Sequence, residues 1–254
     1  MKLIFFGTTG ALPTKDNANT SFAVVRGESA VLVDASGNPF QCLLRTDPGV
    51  SGLEAVILTH AHPDHIYALP SLIQNLILVN RKKLLYIIAN EHTAEKAKQL
   101  LAVFSLLSNK EIFPIKWLSG ENVQTDHIPG LQISLFPVNH PISTSGVRII
   151  TAATSVVYSS DTLPSERVVS EAADARVLIH ESTGSHINRE KLNQDGHSSA
   201  RQAGEIAAKA GVEKLFLCHI DFGRCPPPDE LKREANAVFK GTVITPELFR
   251  LYEV

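Results

Sequence analysis

Short apolar runs alternate along the chain with turn residues and with longer stretches of helical spacing. Runs rich in Val and Ile predict strands over Leu3–Phe6, Phe22–Val25, Ala30–Val33, Ala55–Leu58, Leu85–Ala89, Leu131–Phe136, Val147–Thr151, Ser155–Ser159, Val177–Ile179 and Lys214–Cys218. The longer stretches predict helices over Phe40–Arg45, His65–Val79, Glu91–Leu107, Ser199–Ala210 and Pro228–Ala237, with Gly211 as a C-terminal stop for the fourth. No internal repeat or low-complexity linker interrupts the pattern, so residues 1–254 are expected to form one domain. Each half mixes strands with a few helices. That arrangement predicts an α/β protein of two layered mixed sheets with helices outside, rather than one doubly wound sheet.

Composition narrows the class. The chain has 254 residues, 44% apolar and 20% charged, which excludes disordered, collagen-like and coiled-coil proteins. At this length a core buries about three quarters of the unfolded surface without disulfides. Lys plus Arg number 24 against 26 Asp plus Glu, a formal charge of -2, which argues against a large nonspecific nucleic-acid surface. Three cysteines, Cys42, Cys218 and Cys225, show no CxxC spacing and read as small thiols in a reducing compartment. Met1–Gly7 offers too short an apolar run for a signal peptide, and no run approaches the ~20 residues of a membrane span, so no membrane partner and a cytoplasmic location are expected. The unusual number is ten His, against one Met and one Trp.

Those histidines point to metal chemistry. Thr59-His60-Ala61-His62-Pro63-Asp64-His65 sits between the apolar run Ala55–Leu58 and the helical run that begins at Ile66. In an extended segment residues i and i+2 point the same way, so His60 and His62 can face one metal ion. Asp64 and His65, in the first helical turn, can face a second. Four such side chains in six residues are costly to bury unless coordinated or paired. Imidazole and carboxylate donors together suit zinc, with manganese or iron as alternatives. Further ligand types follow other strands: His140 after Leu135–Val138, Asp161 after Val156–Ser160, and His219 after Leu215–Cys218. Asp161 is the natural bridge, since one carboxylate can serve two ions.

The order HxHxDH, lone His, lone Asp, final His resembles the metallo-β-lactamase superfamily, over roughly Gly7 to His219. The resemblance implies a four-layer αββα sandwich with a metal site where the edges of the two sheets meet. Three features resemble its ribonuclease Z branch. The opening Phe6-Gly7-Thr8-Thr9-Gly10-Ala11-Leu12-Pro13 is similar to that branch's FLGTGGxxP element. Val33-Asp34-Ala35-Ser36-Gly37, followed by Gln41 and Leu43-Leu44-Arg45, resembles its DCGEGTQRQL element with the middle altered. His180-Glu181-Ser182-Thr183 and Gly196-His197-Ser198-Ser199-Ala200 resemble its HEAT and HST motifs.

This resemblance implies a hydrolase with two Zn²⁺ ions sharing an attacking hydroxide. His60, His62 and His140 would hold one ion and Asp64, His65 and His219 the other, with Asp161 between them and Asp64 orienting the nucleophile. A carboxylate bonded to an imidazole favours imidazolium, so His197 held by Glu181 can act as general acid. The loop Thr8–Thr20, with Lys15, Asn17 and Asn19, is expected to line the cleft. His180 is left unassigned, His92 and His127 fit no constellation, and His186 reads as a solvated loop residue, with substrate contact as the alternative.

One departure stands out. Asp161 lies 21 positions after His140, and Ser143–Ile149 runs almost directly into the next strand. That leaves no room for the long tRNA-clamping arm that ribonuclease Z carries in this interval. The expected activity is therefore a phosphodiesterase acting on a small-molecule or nucleotide phosphodiester. The alternatives are a tRNA 3′-end endonuclease and a thioester or lactone hydrolase on the same site. Relatives of this kind often pair as homodimers.

Overall fold

The computed structural model describes residues 1–254. The first half runs β1 (Lys2–Thr9), β2 (Ala18–Asn19), β3 (Ser21–Arg26), β4 (Ser29–Val33), α1 (Pro39–Leu44), β5 (Leu53–Leu58), α2 (Pro63–Ile66), α3 (Leu69–Leu78), β6 (Leu85–Ala89), α4 (Glu91–Val103) and β7 (Ile115–Ser119). The second half runs β8 (Gln124–Thr125), β9 (Gln132–Pro137), β10 (Ser145–Ile150), β11 (Ser155–Tyr158), α5 (Glu166–Ala172), β12 (Val177–Glu181), α6 (Arg189–Gln194), α7 (Ala200–Ala210), β13 (Lys214–Cys218), α8 (Pro228–Asn236), β14 (Thr242–Ile244) and β15 (Leu251–Glu253).

Two mixed sheets result. One has the order β15-β1-β3-β4-β5-β6-β7, with β2 beside β1; the other has the order β14-β13-β12-β11-β10-β9-β8. Within them, β4 to β7 and β11 to β14 are parallel. Parallel strands covered on both faces read as nearly continuous apolar runs, and the alternation sorts each strand's residues into separate cores. Ala55 and Ile57 face the inter-sheet core, whereas Val56 and Leu58 face the helix layer of the first sheet. Val177, Ile179, Phe216 and Cys218 also enter the inter-sheet core, whereas Leu178, Leu215 and Leu217 pack under the second helix layer. The three cores stack as helix, sheet, sheet, helix, the expected αββα sandwich. No helix is long and apolar enough to cross a membrane.

Two expected helices are divided. The run expected as His65–Val79 begins earlier, at Pro63, and breaks at Tyr67–Ala68. Pro63 suits the first helical position. Pro70 has no N–H to continue the ladder from Ile66, and Ala68 N donates instead to Ala35 O (2.9 Å). Glu91–Leu107 ends as an α-helix at Val103, because Ser105 takes φ +53° before a 3₁₀ turn at Leu106–Ser108. The last strand of the expected set, Lys214–Cys218, and the stop at Gly211 (φ +72°) are found as predicted. Ser199 caps α7 with a capping box to Gln202.

The C-terminal ends of β4, β5, β9, β11, β12 and β13 meet along one edge of the sandwich. Ser145 N donates to Thr59 O (3.0 Å), Gly10 N to Ile220 O (3.0 Å) and Ile220 N to Thr8 O (3.0 Å), so the sheets are stitched together beside that edge. Asp34, Ser160 and His219, each just past a strand end there, occupy the left-handed region at φ +59°, +55° and +54°. Non-glycine residues are rare in that region and cluster where a site must be aimed.

Candidate metal centre

The turn after β5 is extended through His62 and becomes α2 at Pro63. It presents His60, His62, Asp64 and His65 to the edge. His140 follows β9, Asp161 follows β11 and His219 follows β13, so all seven expected ligands converge. His60, His62, His140 and Asp161 form one group and Asp64, His65 and His219 another, with the donor atoms of each group within 4.8 Å of one another. His62 Nδ1 lies 3.2 Å from His60 Nε2 and 3.2 Å from His140 Nε2. Asp161 Oδ2 lies 3.6 Å from His60 Nε2, 3.4 Å from His65 Nε2 and 3.1 Å from His219 Nε2, facing both groups at once. Asp64 Oδ2 stands 3.5 Å from both His65 Nε2 and His219 Nε2.

The ring orientations show which atoms are free. His65 Nδ1 donates to Asp34 Oδ2 (2.8 Å), since a carboxylate can only accept. The Thr59 hydroxyl gives its single proton to Asp34 (2.9 and 3.0 Å to the two oxygens), so it accepts from His60 Nδ1 (3.0 Å). His140 Nδ1 donates to the Gly196 carbonyl (3.0 Å). Each bond leaves Nε2 as a lone pair aimed inward. Holding a ligating imidazole through its other nitrogen is how proteins fix tautomer and direction. Buried His65 Nε2, His219 Nε2 and Asp161 Oδ1 have no hydrogen-bond partner. Converging lone pairs with buried, unpartnered donor atoms fit divalent cations in this cluster.

The charge balance agrees. Burial would raise the carboxyl of Asp161, but His219, His65 and His60 outweigh it and hold the group well below its usual range. Burial also works to raise Asp64, and the neighbouring His219 and His65 prevail and lower it. Burial depresses His60, His62 and His140, favouring the neutral imidazole that a metal requires. His65 is the exception. Burial would lower it, yet Asp161 and Asp34 hold it well above the ordinary histidine value, marking excess negative charge around it.

Beside the cluster, His197 Nδ1 donates to Glu181 Oε1 (3.0 Å). Glu181 is fully buried, whereas the His197 side chain keeps 19% exposure. Burial alone would lower His197, but the Glu181 carboxylate lifts it to about 9, so imidazolium persists at neutral pH. Its ring centroid lies 5.2 Å from those of both His140 and His219.

Other expectations change. His186 is half-buried rather than solvated, and its Nδ1 lies 2.9 Å from the Ser199 hydroxyl. Asn17 and Asn19 bind their own loop, Asn17 to both N and Oγ1 of Thr8 and Asn19 to the Gly10 and Ala11 carbonyls, while Lys15 stays exposed. That loop meets the cluster at Thr20, whose Oγ1 accepts from His219 N (3.0 Å), and at Gly10, where a Cβ would stand 3.3 Å from the His219 ring. His180 is buried with Nδ1 on the Glu181 carbonyl (2.7 Å). Asp34, Thr59 and Gly196 were not singled out as site residues from the sequence. Asp34 carried two signals, a charge immediately after the apolar run Ala30–Val33 and its place in the Val33–Gly37 motif.

The beta-lactamase superfamily domain matches residues 29–220 of the chain. A protein named ribonuclease Z from Methanosarcina acetivorans is 24% identical, covering 99% of this chain and 97% of its own length. That alignment spans 297 positions, so the relative carries segments that this chain lacks. A ribonuclease Z from Ignicoccus hospitalis is 27% identical over 86% of this chain and 87% of its own. The metallo-beta-lactamase fold protein YhfI from Bacillus subtilis superposes with TM-score 0.86 at 25% identity, covering 99% of each chain. Human tRNase Z, short form, shares the fold with TM-score 0.81 at 18% identity, covering 100% of this chain and 99% of its own.

Proposed function

The chain belongs to the metallo-β-lactamase superfamily, in which its relatives are named ribonuclease Z, and on that premise we propose that it is a metal-dependent phosphodiesterase of small-molecule or nucleotide diesters. The observation that carries this reading is the pair of buried Glu181 and half-buried His197 opening onto the ligand cluster. A thioester has no evident use for such a pair, because a thiolate departs without a proton. A phosphodiester has one, because its leaving oxygen must be protonated.

His60, His62 and His140 would hold one zinc ion and Asp64, His65 and His219 the second, with Asp161 between them. When bound, such ions supply Lewis acidity to a phosphoryl oxygen and make water acidic enough to yield a nucleophile near neutral pH. The chain's own residues do the rest. Asp34, Thr59 and the Gly196 carbonyl fix ring directions. Asp64 orients the nucleophile. Glu181 holds His197 with Nε2 toward the cleft, and His197 Nε2 gives its proton to the leaving oxygen.

The connection between His140 and Asp161 favours small substrates. It is filled by β10 and β11, paired as a hairpin whose turn closes with Thr151 N donating to Thr154 O (2.8 Å), and no arm projects there. In a second reading it is a tRNA 3′-end endonuclease, and the relatives' name, ribonuclease Z, supports RNA as the substrate. Residues 1–254 act as one unit in either case. The three unpaired cysteines suit a reducing, cytoplasmic setting. The test is metal analysis of the purified protein joined to hydrolysis of cyclic nucleotides, dinucleotides, precursor tRNA and a thioester. Turnover of the thioester alone, or metal-free protein with full phosphodiester activity, overturns the reading.

A further inference from the structure

Three of the four ligand histidines that aim Nε2 inward are fixed through Nδ1 by groups with no other part in the chemistry. His219 differs. Its Nδ1 lies 3.1 Å from the hydroxyl of Thr183, and that hydroxyl lies 2.9 Å from Glu181 Oε2, the carboxylate oxygen not used by His197. A hydroxyl has one proton and Glu181 Oε2 can only accept, so the Thr183 proton points to Glu181. Thr183 Oγ1 is then left as acceptor, and His219 Nδ1 must be the donor. The bonds form a directional chain from His219 Nδ1–H through Thr183 Oγ1–H and Glu181 to His197 Nδ1–H, which donates to Oε1 at 3.0 Å.

The backbone holds Thr183 in place on both sides. Its N–H donates to Ser198 O (3.1 Å), beside His197, and its carbonyl accepts from Asp221 N (3.0 Å), two residues past His219. Gly184 and Ser199 form a bridge next to it. Ser185 and the His186 N–H are both tied to the Glu234 carboxylate of α8, which steadies the start of the following turn. Thr183 is half-buried, with its hydroxyl between the two functional groups rather than in solvent.

We infer that Thr183 is a positioning residue that joins the general-acid pair to the second metal group, setting the tautomer of His219 and the rotamer of Glu181 with one hydroxyl. The inference rests on the proposed metal centre and general acid and adds an asymmetry to them: the group of Asp64, His65 and His219 reaches the proton donor through side-chain hydrogen bonds, whereas the other group reaches it only through backbone, by His140 on the Gly196 carbonyl and by the Thr162 N–H on Glu181 Oε1 (2.9 Å). Removing the hydroxyl leaves His219 Nδ1 without its acceptor and Glu181 Oε2 with only the long contact to Thr183 N (3.4 Å). Losing such an outer partner typically costs about 10–100-fold in metal affinity or activity.

The test compares Thr183→Val, which keeps the shape, with Thr183→Ser, which keeps the hydroxyl. Calorimetric titration of metal-stripped protein with Zn²⁺ reads each site, and paired phosphodiesters with alkyl and nitrophenolate leaving groups read the acid. Thr183→Val is expected to weaken one of the two sites by about 10–100-fold, to leave the other within about threefold, and to lower turnover of the alkyl diester more than of the nitrophenyl diester. Thr183→Ser is expected to restore both readouts. Equal weakening of both sites with no rescue by serine would mean a merely structural role and overturn the inference. So would a valine variant matching wild type in both readouts. Wild-type protein that binds no Zn²⁺ would instead sink the metal centre itself, a distinct failure.

Discussion

Replacing His197 with Ala separates the general-acid role from every other role the residue could have. The imidazole is anchored at Nδ1 by a fully buried carboxylate at 3.0 Å, leaving Nε2 as its one free polar atom. The rise from 6.5 to about 9 means that its surroundings favour imidazolium by about 3 kcal/mol, to order of magnitude. In the metal-free chain the donor is therefore loaded at neutral pH. A positioned general acid contributes roughly 10²–10⁴-fold. The variant should lose that much kcat/KM on a dinucleotide, whose ribose oxygen leaves poorly unless protonated. On a nitrophenyl ester of the same nucleotide it should lose no more than about tenfold, because nitrophenolate departs without a proton. The assay is steady-state kinetics on the two esters, with metal content measured on the same samples. That control matters because His197 stands within liganding distance of Asp161 and His219. Equal losses on both esters refute the argument. If metal is lost as well, His197 is a ligand and not the acid.

Three further outcomes are expected. Chelation should abolish hydrolysis of bis-nitrophenyl phosphate and lower Tm, and Zn²⁺ at about 100 times Kd should restore about 2.7 kcal/mol per site; full activity in verified metal-free protein would refute the centre. Gly196→Ala should destabilise by about 1–3 kcal/mol and disturb His140, because φ is +87° and the new Cβ would lie 2.4 Å from Pro141 Cδ and 3.1 Å from His140 Nδ1; an unchanged denaturation midpoint would count against the loop as drawn. In metal-free protein the raised His197 contributes stability in full below its unfolded value of 6.5 and loses it as pH rises through about 9, so the stability gap between wild type and Glu181→Gln should narrow from pH 7 to above 9; parallel curves would refute the pairing.

The candidate ligands were legible because most are metal-binding residue types placed just after an apolar strand, and strand ends on one edge converge whatever the loops do. His60, His62, His140, Asp161 and His219 are of this kind, and Asp64 and His65 follow in the first turn of α2. The residues that orient them were harder to see. Thr59 and Gly196 act through a hydroxyl and a carbonyl that every threonine and every residue possesses. Their partners, His60 next door and His140 in the turn after β9, appear only once the chain is folded. The edge elements were missed for another reason. β7, β14 and β15 are short and largely half-exposed, so alternation never accumulates. α5 did carry a signal, Ser165 capping at Arg167 N ahead of Glu166, but its seven residues gave too little periodicity.

The three left-handed residues at the edge show what aiming the ligands costs, and Ser160 allows that cost to be measured. It lies between Tyr158 at the end of β11 and the central carboxylate of Asp161, fully buried at φ +55°. Its hydroxyl is buried with no partner. An L-residue in this conformation is strained by about 1–2 kcal/mol, and an unsatisfied buried hydroxyl costs about 1–3 kcal/mol more. Glycine removes both penalties and adds about 0.5–1 kcal/mol of backbone entropy to the unfolded chain. Ser160→Gly should therefore stabilise the protein by at least about 1 kcal/mol, a rise in Tm of at least about 2–4 °C for a chain of this size. A fall in Tm would mean that the serine side chain contributes packing outweighing both penalties, and that the turn before Asp161 is not a strained one. A rise would show that the sharp turn carrying Asp161 to the centre of the cluster is maintained at a cost in stability, with the convergence of six strand ends holding it in place.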